Sequence, residues 1–246
     1  MLFRLECVQK AFDIINSVQK VESHEKTIDA TEAKHQIAAK LKEYGFDWAI
    51  EITDQAAKMS VNSLLKTIKI KKAAMFDERE MKRLLVHEIE THVLRSENGR
   101  QQRFELFSFG FPDYLETEEG LAILAEHTTG LRNDSDDLRF ALRVVLCDQC
   151  FEMDFWDLFN FAVQHVDVDT AFDMVARIKR GLVDTGQLGG YTKDQVYFKG
   201  YLKLKDLPVD TLRKLYIGKI GLQHLDLLND MNDIFYQVRL PEWIGN

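Results

Sequence analysis

Proline is scarce in this chain of 246 residues, which has only Pro112, Pro208 and Pro241, and no Gly/Ser-rich stretch interrupts it. Without a linker of that composition the sequence offers no internal boundary, so residues 1–246 read as one domain, with a helical lead-in over 1–45 and a core over 46–246. Cysteine is also rare: Cys7, Cys147 and Cys150 are an odd set with no disulfide framework, as expected in a reducing compartment. No apolar run approaches the roughly 20 residues that span a bilayer, and Met1-Leu2-Phe3-Arg4-Leu5-Glu6 lacks the pattern of a signal peptide. These absences predict a soluble, cytoplasmic protein with no membrane partner. Positive charge is in deficit, with a net −8, which argues against nucleic acid as a partner. There is no internal repeat and no low-complexity segment.

The apolar content of 46% suffices for a sizeable core. Leu2, Leu5, Val8, Phe12, Ile15 and Val18 recur at helical spacing, and a second helical run from Ala30 to Tyr44 ends at Gly45. Trp48, Ile50 and Ile52 alternate with polar neighbours, and Leu65 to Lys71 alternates again, which predicts two strands. A long helix is predicted from Phe76 to Arg95, with Asn98-Gly99 as the turn that ends it. Phe104, Phe107, Phe109, Phe111 and Tyr114 then fill a loop, where core packing is the expected role of most. Further helical runs cover Leu138–Cys150, Phe155–His165, Thr170–Lys179 and Tyr191–Leu202. The fold class is therefore α+β and mainly helical. Lys66, Lys69, Lys71 and Lys72 form a local basic patch, read as the solvated face of a strand, with an acidic-peptide docking edge as the sharper alternative. Cys147 and Cys150 form a CxxC within an apolar helical run and read as packed thiols.

The most specific chemistry lies in His87-Glu88-Ile89-Glu90-Thr91-His92. The zinc-peptidase signature HExxH puts two histidines on one helix face and a general base beside the first. Here the spacing is HExxxH. At about 100° per residue an α-helix would leave His87 and His92 roughly 140° apart, unable to share an ion. A π-bulge, which inserts one residue into a helical turn, restores them to one face, so a widened turn is predicted between them. The alternative is two unrelated surface histidines. His24, His35, His127, His165 and His224 lack paired spacing and read as ordinary surface or core histidines.

A catalytic zinc takes three protein ligands and leaves a fourth position open, so a third ligand is needed. Glu119, in Thr117-Glu118-Glu119-Gly120-Leu121-Ala122, is the candidate, although acidic residues at a helix start also serve the macrodipole. His87 to His92 with Leu94-Arg95 and Asn98-Gly99, then Glu119-Gly120-Leu121-Ala122, then Arg177 to Leu182 and Gly190 to Tyr197, together resemble the QEGLA-motif family. That family includes flavohaemoglobin expression-modulating proteins in bacteria and is related to the microtubule-associated tyrosine carboxypeptidases, MATCAP. The resemblance runs from about Ala30 to the C-terminus, with Thr-Glu-Glu-Gly-Leu-Ala in place of Gln-Glu-Gly-Leu-Ala.

The resemblance implies a zincin-like metallopeptidase domain with a small sheet beside the HExxxH helix, in which His87, His92 and Glu119 hold Zn²⁺ and Glu88 is the catalytic base. It implies a carboxypeptidase that removes a C-terminal residue, aromatic if it follows the tyrosine-removing relatives, with a peptide or protein C-terminus as partner. The α-carboxylate and oxyanion call for strong donors, and Arg180, Lys193 and Tyr197 in the third block are the candidates for substrate binding. Two other readings stay open. One is a regulatory protein with a structural metal site, against which the presence of Glu88 speaks; the other is a zinc amidase. The sequence does not fix the oligomeric state.

Overall fold

A computed structural model of the chain describes residues 2–18, 25–229, 231 and 238–245. It is a mainly helical α+β fold with one small sheet. In chain order the elements are α1 (Leu2–Ser17), α2 (Ala30–Tyr44), β1 (Ala49–Thr53), β2 (Met59–Asn62), β3 (Thr67–Lys71) and α3 (Glu78–Leu84). A π-helix (Leu85–Val93) continues α3 and runs on into α4 (Leu94–Arg100). Then come α5 (Leu106–Phe109), α6 (Leu115–Thr128), α7 (Asp134–Gln149), α8 (Phe155–Ala162), α9 (Val168–Lys179), α10 (Gln195–Leu204), α11 (Val209–Leu215), α12 (Leu225–Asn229) and α13 (Glu242–Gly245). No described helix is long and apolar enough to cross a membrane.

The chain divides into two compact units, one of Met1–Ser23 with Arg132–Leu202, the other of His24–Leu131 with Lys203–Asn246. In the first, α1 packs on α7, and Ala11, Ile15, Leu142, Val145 and Val175 share one buried core. Side-chain caps set its helix starts. Asn133 and Asp136 form a reciprocal capping box at α7, and Asp154 and Asp167 accept from Asp157 N and Thr170 N at α8 and α9. Cys147 and Cys150 are fully buried in this core, and burial pushes the Cys147 thiol up to about 12. That is the environment of a packed thiol.

The second unit carries the sheet, in the order β1-β3-β2. β1 runs parallel to β3, pairing Ala49 with Thr67, and β2 runs antiparallel to it, pairing Met59 with Ile70. β2 is the strand that the alternation pattern missed, because four residues are too few to show a period. Ile68 and Ile70 of β3 are fully buried against Ile89 and Val93 of the π-helix and Ile37 of α2. Asp29 caps α2 by accepting from Thr31 N and Glu32 N, and Gly45 ends it at φ 67°. A two-residue antiparallel bridge between Ile28 and Phe76 ties the start of α2 to the approach of α3, where Asp77 is the cap.

Asn98 and Gly99 do not form the expected turn, since both lie inside α4. Their role is packing. Asn98 is buried, donating to Tyr216 O and Arg239 O and accepting from Arg239 N. A side chain at Gly99 would meet Phe107 O at 2.1 Å. Gly99→Ala is therefore expected to destabilise the chain by about 1–3 kcal/mol, read by urea unfolding, because the obstacle is backbone rather than a movable side chain.

Candidate metal centre

The predicted widened turn is present as a full π-helix over Leu85–Val93. The Leu94 N–H reaches Ile89 O, five residues back. At roughly 4.4 residues per turn, five steps overshoot one turn by only about 50°, so His87 and His92 return to one face. Their ring centroids stand 5.0 Å apart. The same registration sends Ile89 and Val93 into the sheet-side core and sends Glu90 to Lys40, 2.9 Å away.

Glu119 comes from α6, which packs against the π-helix. It belongs to the second turn of α6, not its start, and is buried. Macrodipole compensation therefore does not account for it. Its Oε2 is 3.6 Å from Nε2 of His87 and 3.6 Å from Nε2 of His92, and it has no hydrogen-bond partner although it is shut off from solvent. One ligand atom from each of the three residues lies within 4.8 Å of the others. Nitrogen and oxygen ligands about 2.05 Å from one tetrahedral ion stand roughly 3.3–3.4 Å apart, so the donor set and its spacing fit a divalent cation. Glu88, the expected base, is buried in the π-helix next to His87.

Two carboxylates that the sequence reading did not place complete the centre. Nδ1 of His87 lies 2.7 Å from Glu126 Oε1, and Nδ1 of His92 lies 2.8 Å from Glu118 Oε1. A carboxylate on Nδ1 fixes the proton there and leaves Nε2 as a lone-pair donor, the arrangement common around histidine metal ligands. Glu126 is also held by Arg83, at 3.0 Å. Glu118 is held by Arg95 and, at 2.6 Å, by Lys219. Burial alone would push the Glu118 carboxyl up, but Lys219, Arg95 and the His92 ring hold it well below the usual carboxylate range. At His87, burial opposes a charge and the Glu119 and Glu126 carboxylates outweigh it, raising the ring to about 10. The space between the three residues thus calls for positive charge. One signal was available in the sequence: Glu119 and Glu126 are seven apart on a helix otherwise apolar from Leu121 to Ala125, and so share a face.

Arg180, Lys193 and Tyr197 belong to the other unit. Arg180 is exposed at the end of α9, its guanidinium 3.9 Å from the Tyr191 ring centre. Lys193 lies in the turn before α10 and Tyr197 within it, edge-on to Phe140 at 5.7 Å. That block is held together by residues without an assigned role: Arg177 grips buried Asp194 through two hydrogen bonds, and buried Lys179 donates to Met153 O and Gln187 O. Of the other histidines, His35 is exposed beside Glu32 and His224 accepts from Gly221 N. His24 lies outside the described residues.

Microtubule-associated tyrosine carboxypeptidase 1 of Mus musculus is 36% identical over 168 residues, 65% of this chain and 35% of its own length. Its Rattus norvegicus counterpart is 31% identical over 168 residues, 65% of this chain and 35% of its own length. Human MATCAP2 is 32% identical over 175 residues, 68% of this chain and 33% of its own length. The chain thus spans about a third of the length of the curated relatives it matches. The family model described as microtubule-associated tyrosine carboxypeptidase matches residues 5–244, and the chain belongs to that family.

Proposed function

We propose that this chain is a zinc-dependent carboxypeptidase that removes a C-terminal residue, preferably tyrosine or another aromatic, from a peptide or protein. The observation that carries the reading is the convergence of two oriented imidazoles and an unpartnered buried carboxylate oxygen on one face of a π-helix. The family supports it through the tyrosine carboxypeptidase named in its description. We read the sheet beside the metal-bearing helix as a zincin-like arrangement and Thr117 to Ala122 as the counterpart of the QEGLA motif.

His87, His92 and Glu119 would hold the zinc, which when bound supplies Lewis acidity and a nucleophilic water near neutral pH. Glu118 and Glu126 keep the Nδ1 protons in place, so both Nε2 atoms face Glu119. Glu88 takes the proton from the attacking water and delivers it to the leaving amine. Arg180, Lys193 and Tyr197 stay in the proposal as substrate contacts on the resemblance of their block alone; the metal chemistry does not require them.

The test is incubation with peptides bearing free or amidated C-termini, read by mass spectrometry before and after chelation. Removal of one residue from the free acid only, lost on chelation, is expected. Equal trimming of both peptides points instead to a less selective hydrolase, and no cleavage with no bound metal points to the regulatory reading. The outer carboxylates have their own signature. Glu126→Gln is expected to weaken zinc binding about 10–100-fold, measured by competition with a chromophoric chelator, because the amide no longer orients and polarises His87.

A further inference from the structure

An open cleft of about 630 Å³ lies in the same unit as the metal cluster, bordered by β2 and by the segment that leads into α6. Its wall carries Ser60 and Asn62 of β2, Lys69 of β3, the rings of Phe109 and Tyr114, and Lys219. Its lining residues include two lysines and no acidic residue, in a chain of net charge −8. That imbalance favours an anionic ligand. The volume is in the range of small-ligand pockets and accommodates an amino-acid residue.

A chain of hydrogen bonds links the cleft lining to the cluster. Lys219 Nζ is 2.6 Å from Glu118 Oε1, and that same oxygen is 2.8 Å from His92 Nδ1. β2 itself packs against the π-helix. Among the described residues β2 pairs only with β3, so its outer edge offers backbone hydrogen bonds to an extended chain.

The two lysines differ in what they can still bind. Lys219 is 5% exposed and committed to Glu118. Lys69 is 40% exposed, and its one ion-pair partner among the described residues, Glu51, stands 3.9 Å away and is itself half exposed, a pairing too loose to hold the ammonium. The aromatic wall is built in. Gly110, at φ 120°, lies against the Tyr114 ring, and a side chain there would meet Tyr114 Cε1 at 2.2 Å. Burial and the nearby Glu118 raise the Tyr114 phenol to about 12, so it remains a hydrogen-bond donor at neutral pH.

On the carboxypeptidase reading, we propose that this cleft seats the C-terminal residue of the substrate, with Lys69 taking its α-carboxylate and Phe109 and Tyr114 flanking its side chain. Lys69 is then a specificity-determining residue supplied by the basic strand, and β2 carries the preceding peptide backbone.

The experiment measures binding rather than turnover. Labelled peptides ending in tyrosine, identical except for a free or amidated C-terminus, are titrated by fluorescence anisotropy against the full chain carrying Glu88→Gln. The free acid is expected to bind at least about tenfold more tightly. Adding Lys69→Ala should remove that preference, Lys69→Arg should retain most of it, and Lys72→Ala, on the same basic patch but outside the cleft lining, should leave it unchanged. Phe109→Ala should weaken the tyrosine peptide more than one ending in alanine. Equal binding of both peptides to the parent chain, or a preference that survives Lys69→Ala and vanishes with Arg180→Ala, overturns the assignment. Thermal melts of each variant check folding. A Lys69-dependent preference in a chain whose unsubstituted form cleaves nothing would defeat the peptidase reading and leave the cleft assignment standing.

Discussion

Glu88→Gln is expected to keep the metal and to lower turnover by about 10²–10⁴-fold, the usual worth of a positioned general base. The three proposed ligands do not include Glu88, and the amide has nearly the same size, so neither the buried packing around it nor the cluster needs to change. What the amide lacks is a site for a proton. With the base removed, water is no longer deprotonated as it attacks and the leaving amine is not protonated as it departs. The loss should therefore fall on kcat, by about 3–5 kcal/mol at 1.36 kcal/mol per tenfold, with KM little altered. Metal analysis alongside steady-state kinetics separates the possibilities. Loss of zinc in step with activity would make Glu88 a ligand, and unchanged activity would remove it from the chemistry.

The largest expected effect on stability belongs to Arg95. It is fully buried and donates to Leu215 O, Ile220 O and Glu118, joining the helix that follows the π-turn to the end of α11, to the segment after it and to the carboxylate behind His92. Arg95→Met fills similar space but leaves two carbonyls unpaired and Glu118 with Lys219 as its remaining cation. Breaking a buried ion pair from one side costs about 3–5 kcal/mol, and that range is expected in urea unfolding of the metal-free chain. Arg95→Lys should rescue little, since one ammonium does not reproduce a planar fork aimed at three acceptors. The pH dependence gives a second readout. The folded Glu118 value is depressed, so its contribution is fully present above the ordinary value of 4.5 and is lost as pH falls below it. Arg95→Met should flatten that acid limb. A destabilisation below about 1 kcal/mol would mean that Lys219 alone suffices.

The widened turn that brings His87 and His92 to one face was legible in the sequence because helix geometry turns one extra residue into a contradiction: two histidines five apart can share a face only across such a turn. The lead-in helices were legible for a similar reason, with Gly45 marking the end of α2 where its φ of 67° demands it. Of the outer carboxylates, Glu126 left only its seven-residue spacing from Glu119 as a trace, and Glu118 left none: it matters through Lys219, and no local pattern announces a contact across 101 residues. Gly99 misled for the same reason, since what excludes a side chain there is the backbone of Phe107. The aromatic loop split by position: Phe107 is buried, whereas Phe104 and Phe109 stay exposed, and only folding decides which ring faces the core. Arg180, Lys193 and Tyr197 were chosen as donors within the third family-like block, and that choice carried no information about which unit holds them.

If the π-turn gathers His87, His92 and Glu119 around one ion, anomalous diffraction at the zinc edge from crystals of the zinc-loaded chain will show it. A single strong peak is expected about 2.0–2.2 Å from Nε2 of His87, Nε2 of His92 and a carboxylate oxygen of Glu119. A peak bound elsewhere, or no peak while those three side chains are ordered, would contradict it.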